Sequence, residues 1–209
     1  MGGGSFDIVV IAASQGGLRV CRRLAEALPA DFPAAVVYAQ HRSPGSSTAI
    51  VDLLTRWCAL PVRAGVDGLE LIAGTLTVPP ADAHVGVSVD HRLVLTDGTP
   101  GTGLGDELFA AAAAAYGTRA LGIVLTGRLR DGTRGVQAIK AAGGRVIVQD
   151  PETAEQRSMP WNALATGCVD LVLDPQRIAD ALVALVTVPG AADLFGVRGG
   201  SWATSPSGL

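Results

Sequence analysis

The sequence predicts an α/β protein: a doubly wound, mostly parallel, Rossmann-like sheet with an inserted antiparallel β-hairpin. Three observations carry this. Short β-branched runs alternate with helix-like stretches along most of the chain. Those runs (DIVVIAA, AAVVYAQ, ALGIVLT, RVIVQ and VDLVL) are near-continuously apolar, as strands buried on both faces must be. One segment, GVSVDHRLVLTDG, instead alternates with period two about Asp90-His91, the pattern of a hairpin.

Taken in order, the apolar runs place strands over 7–13, 34–40, 120–126, 145–149 and 169–173. The stretches between them place helices over 17–28, 46–57, 106–116, 132–142, 160–166 and 175–186. Residues 1–188 are expected to form one domain. Residues 189–209 are rich in Gly, Ser and Pro and are expected to be a loose tail on which Phe195 and Trp202 could still dock.

Composition excludes several function classes. The 209 residues carry a formal net charge of only −3, with no basic stripe for nucleic acid and no polybasic segment for a membrane surface. The three cysteines, Cys21, Cys58 and Cys168, are odd in number and far apart, so reduced thiols are expected rather than a disulfide framework or a zinc knuckle. The first residues, MGGGSFDIVV, lack the basic n-region of a secretory signal. The longest bland run, LFAAAAAAYG, falls short of the about 20 apolar residues that span a bilayer. A cytoplasmic protein, with no direct membrane insertion, is the expectation.

The segment FDIVVIAASQGG has two readings. As a dinucleotide cradle it needs G-x-G-x-x-G and an acidic residue closing the second strand. Here the glycines are adjacent, Gly16 and Gly17, the second strand closes in Gln40-His41, and a Walker lysine is missing. As a nucleophile elbow, Ala12-Ala13-Ser14-Gln15-Gly16 is a G-x-S-x-G motif with Ala first, and small residues allow the sharp turn that exposes Ser14. The elbow reading fits better.

A serine hydroxyl needs a base and a group that orients the base. Of the three histidines, His91 sits in the predicted hairpin turn and His84 at the start of that hairpin. His41 closes the second parallel strand, and catalytic groups gather at the carboxyl ends of parallel strands. The bland role for His41 is a turn or capping residue. Asp131 lies just past another strand end, in Thr126-Gly127-Arg128-Leu129-Arg130-Asp131-Gly132. Its bland role is the N-cap of the helix that follows. Sequence leaves both roles of Asp131 open.

The segments IAASQGG, AQHRSPG, GVDGLELIAGTLTVPPADAH, GIVLTGRLRDGTRG and SMPWNAL, in this order, resemble the catalytic domain of bacterial chemotaxis protein-glutamate methylesterases of the CheB type. The resemblance runs from Ile8 to about Leu185. It implies a triad of Ser14 as nucleophile, His41 as general base and Asp131 as its orienter. It further implies hydrolysis of glutamyl methyl esters, and deamidation of certain glutamines, on cytoplasmic helices of chemoreceptors, without metal or organic cofactor. The main-chain N–H of Gln15 is the expected oxyanion donor, and Arg128 a further substrate or oxyanion contact.

This chain departs from the family pattern at the candidate cleft. Leu129 stands where the family has a glycine, so a positive φ there would store strain of about 1–3 kcal/mol. Arg128 and Arg130 would suit an acidic substrate if they face the cleft; equally, either could pair with Asp131 or simply be solvated. Gln15, Ser158 and Leu104-Gly105 also differ from the usual residues. A non-catalytic or substrate-altered partner-binding module on the same fold is therefore the alternative. The family commonly carries a receiver domain before the esterase. Only Met1 to Phe6 precede the first strand, so regulation by phosphorylation in cis is not expected.

Overall fold

The apolar runs pair side by side because each has two faces to bury. The computed structural model describes residues 6–42, 47–98, 103–188 and 190–191, and the predicted tail lies almost wholly outside them. In chain order the elements are β1 (Ile8–Ala13), α1 (Gly17–Ala27), β2 (Ala35–Gln40), α2 (Ser47–Trp57), β3 (Val62–Ala64) and β4 (Leu76–Val78). There follow the hairpin strands β5 (Ala83–Val87) and β6 (Leu93–Asp97), α3 (Leu104–Tyr116) and β7 (Ala120–Val124). The last elements are α4 (Thr133–Ala141), β8 (Arg145–Gln149), α5 (Ser158–Leu164), β9 (Leu171–Leu173) and α6 (Pro175–Thr187).

A seven-stranded sheet has the order β3-β4-β2-β1-β7-β8-β9, and all its pairings are parallel. β5 and β6 form the separate antiparallel pair that the period-two segment predicts. The fold class is as the sequence implies. The sequence does not predict β3 and β4: with three residues each, and glycine or proline close by, they are too short to show a period.

Alternate residues of β1 enter two different cores. Val9, Ile11 and Ala13 pack with Val20 and Leu24 of α1 and Ile178 and Leu182 of α6. Ile8, Val10 and Ala12 pack with Leu104, Leu108 and Phe109 of α3. Burial of one such side chain is worth about 1.5–3 kcal/mol, so both faces of the sheet are committed.

Strand order reverses at β1: the chain moves to β2 on one side and later returns to β7 on the other. In open parallel sheets the crevice outside the carboxyl ends at such a point is where ligands bind. Ser14, His41 and the loop that carries Asp131 all follow strands that border this point.

Candidate active site

Ser14 leaves β1 in a tight turn. Its carbonyl accepts the N–H of Gly17 at 3.0 Å, and Gly16 has φ 81° and ψ −11°. These are the marks of a type II turn, whose third position favours glycine. Gly17 is constrained by space, because a Cβ there would lie 2.5 Å from the Cβ of Ala13. The Ser14 N–H donates to the Thr126 carbonyl at 3.0 Å, which ties the turn to the end of β7.

His41 arrives beside this turn through strand register. Ala13 pairs with Gln40, and the His41 N–H donates to the Ala13 carbonyl at 3.0 Å. The His41 side chain is a quarter exposed, and its Nε2 lies 2.7 Å from Oδ2 of Asp131. A carboxylate only accepts, so Nε2 carries the proton in this bond and the neutral ring keeps a lone pair on Nδ1. No hydrogen bond joins the Ser14 hydroxyl to His41 among the described residues. In hydrolases such bonds commonly tighten only around substrate.

Asp131 is 3% exposed and gathers four donors. Oδ2 accepts from His41 and from the Gly105 N–H at 2.8 Å; Oδ1 accepts the N–H groups of Asp106 at 3.0 Å and Gly132 at 2.8 Å. The capping role is therefore real but belongs to a different helix. Gly132, not Asp131, is the N-cap of α4, and it makes no side-chain cap. α3 likewise has no capping side chain of its own, and the carboxylate of Asp131 supplies it from outside.

Neither Arg128 nor Arg130 pairs with Asp131, and neither has an ion-pair partner among the described residues. Leu129 does adopt the left-handed backbone, with φ 67°, and leaves its side chain 60% exposed. Its carbonyl accepts from Asn162 Nδ2 at 3.0 Å, which ties the loop to α5. Gly127, just before it, leaves no room for a side chain: a Cβ would lie 2.8 Å from the Cβ of Ser14 and closer still to Met159.

The other histidines are engaged elsewhere. His84 Nδ1 pairs with Glu107 at 2.8 Å, and the exposed His91 ring stacks on Tyr116 with centroids 4.1 Å apart. The three cysteines are free thiols. Among the described residues no group of three or more His, Cys, Asp or Glu could hold a metal ion, and no helix is long and apolar enough to cross a membrane.

Sequence reasoning missed the residues that hold the turn. Gln40 Nε2 donates to the Ser14 carbonyl at 3.0 Å, and Thr126 Oγ1 donates to the Gln15 carbonyl at 3.1 Å. Gln40 abuts His41 in the quoted AQHR, but nothing in its type or spacing shows that it reaches across to β1. Gly105 departs from the family pattern, and its missing side chain is what lets the start of α3 approach Asp131.

Fold and site together define a doubly wound α/β domain with an alcohol and an imidazole–carboxylate pair along one strand-end edge. Serine hydrolases use those three groups on several unrelated scaffolds. A family model described as CheB methylesterase matches residues 9–182, and this chain belongs to that family. It is 40% identical over 179 residues to protein-glutamate methylesterase/protein-glutamine glutaminase 3 of Anaeromyxobacter dehalogenans (strain 2CP-C), covering 84% of this chain and 52% of the relative. It is 34% identical over 186 residues to protein-glutamate methylesterase FrzG of Myxococcus xanthus, covering 88% and 56%. The crystal structure of the Thermotoga maritima CheB methylesterase catalytic domain superposes with a TM-score of 0.80 at 30% identity, covering 89% of this chain and all of that one. The chain spans about half the length of the curated relatives it matches.

Proposed function

We propose that this chain hydrolyses γ-glutamyl methyl esters on methylated receptor proteins in the cytoplasm, and deamidates glutamines at equivalent positions. Ser14 is the nucleophile, His41 the general base and Asp131 the group that holds the imidazole. The observation that carries this is the 2.7 Å bond between His41 Nε2 and Asp131, formed at the strand edge where Ser14 turns.

Ser14 Oγ attacks the ester carbonyl carbon while its proton passes to His41 Nδ1. The oxyanion takes hydrogen bonds from the main-chain N–H groups of Gln15 and Arg128, which have no acceptor among the described residues. The C–OCH3 bond then breaks, and methoxide leaves as methanol with the proton from His41. Water attacks the resulting glutamyl ester of Ser14, again losing its proton to His41, and expels Ser14 Oγ, which takes that proton back; the γ-carboxyl group released ionises to solvent. With glutamine the leaving group is ammonia. The side chains of Arg128 and Arg130, which have no ion-pair partner among the described residues, suit an acidic substrate.

Methanol release from a methylated receptor fragment tests the reading. Ser14→Ala is expected to slow it by at least about 10^3-fold, and a fluorophosphonate is expected to label Ser14. A Ser14→Ala variant as fast as the unmodified chain would falsify it. The second reading, a non-catalytic partner-binding module, is favoured by one observation: Leu129 presents an apolar side chain to solvent from a strained backbone. An unlabelled Ser14 with no methanol release would support that reading instead.

A further inference from the structure

We propose that Gln40 is a positioning residue for the reaction proposed above, on which this inference rests: it fixes the Ser14–Gln15 peptide so that the Gln15 N–H is aimed at the developing oxyanion. The side-chain amide is itself oriented from behind. Tyr38, wholly buried, donates its hydroxyl to Gln40 Oε1 at 2.8 Å, which leaves Nε2 to donate to the Ser14 carbonyl at 3.0 Å. The same carbonyl accepts the Gly17 N–H at 3.0 Å.

Two donors on one carbonyl fix the rotation of its peptide plane. The bond is trans, so the N–H of Gln15 must point away from Gln40 and from the start of α1. That N–H has no acceptor among the described residues. Donation into the carbonyl also polarises the peptide and strengthens the N–H at its other end. Thr126 Oγ1 holds the next carbonyl, that of Gln15, so both flanks of the donor are restrained. Gly17 leaves room for the relay, because a Cβ there would lie 3.3 Å from the Tyr38 hydroxyl and 3.6 Å from Gln40 Nε2.

Gln40 touches no reacting atom, so its effect falls on the transition state. In Gln40→Met, which keeps the length and loses both amide groups, kcat for methyl-ester hydrolysis is expected to fall about 10- to 100-fold with KM nearly unchanged. Inactivation by a fluorophosphonate, which also develops an oxyanion, falls in parallel. Gln40→Glu keeps an acceptor for Tyr38 but no donor for Ser14, and is expected to be as impaired. Tyr38→Phe loses part of the same effect, and combining it with Gln40→Met costs nothing more than Gln40→Met alone. If Gln40→Met fails to fold, Tyr38→Phe carries the test through a drop in kcat of about threefold or more at constant KM. An active wild-type chain whose folded variants keep kcat within twofold, or change only KM, overturns this inference and leaves the proposed function standing. A wild-type chain inert toward ester and fluorophosphonate alike overturns both.

Discussion

The carboxylate of Asp131 is held by Gly105: the Gly105 N–H reaches Oδ2 at 2.8 Å, on the same oxygen that meets His41. One atom thus accepts from the start of a helix and from an imidazole. A Cβ on residue 105 would lie 3.0 Å from that oxygen and 2.7 Å from the Cβ of Ala12.

Gly105→Ala is therefore expected to disturb stability and chemistry together. Overpacking of this kind costs about 1–3 kcal/mol, which lowers Tm by about 2–4 °C per kcal/mol in a chain of this size. The displaced carboxylate no longer aligns His41, and kcat is expected to fall about 10- to 100-fold. Differential scanning calorimetry and methanol release check the two halves. Wild-type values in both would refute the shared role.

Leu129 offers the opposite change. Its left-handed backbone costs an L-residue about 1–2 kcal/mol, while its side chain is mostly in water. Glycine removes that strain, although its freer unfolded chain gives back about 0.4–1 kcal/mol. Leu129→Gly is expected to match or exceed the wild-type stability by up to about 1 kcal/mol in urea melts. A clear loss of stability would mean that the leucine side chain holds the loop through contacts of its own.

Alkaline pH is expected to destabilise the fold. Burial pushes the thiols of Cys21 and Cys58 above their usual 9.0, and Tyr38 well above its usual 10.0. Burial, helped by the nearby charge of Asp7, pushes Tyr116 up to about 12. Each group holds its proton more tightly when folded, so the unfolded chain ionises first as pH rises. Stability is fully present below about pH 9 and falls from there through about 12. Tm measured between pH 8 and 11 checks this. In Cys21→Ala/Cys58→Ala the fall should begin about one pH unit later, at the tyrosines' usual 10.0; an unchanged onset would rule out the thiols.

The parallel strands were legible because burial on both faces writes an unbroken apolar run, as in AVVYAQ. β3 and β4 were not, since three residues at a sheet edge carry no period. Ser14 and His41 stand out as candidates from their placement, one residue past a strand. Asp131 was ambiguous for a physical reason: a capping aspartate looks the same in sequence whether it serves the helix beside it or one 25 residues earlier. Gln40 was invisible as a candidate site residue because its partner, the Ser14 carbonyl, lies past the neighbouring strand, and Tyr38 because it acts on Gln40 from the same strand. Their effect depends on register, which one chain segment cannot show.

The bond between His41 and Asp131 spans 90 positions, and β7, which leads to Asp131, must dock against β1 before it can form. A growing polypeptide that has already made Ser14 and His41 therefore holds an alcohol and an imidazole with nothing to align them. Whatever chemistry this edge performs is withheld until synthesis has passed Asp131 and β7 has joined β1 in the sheet.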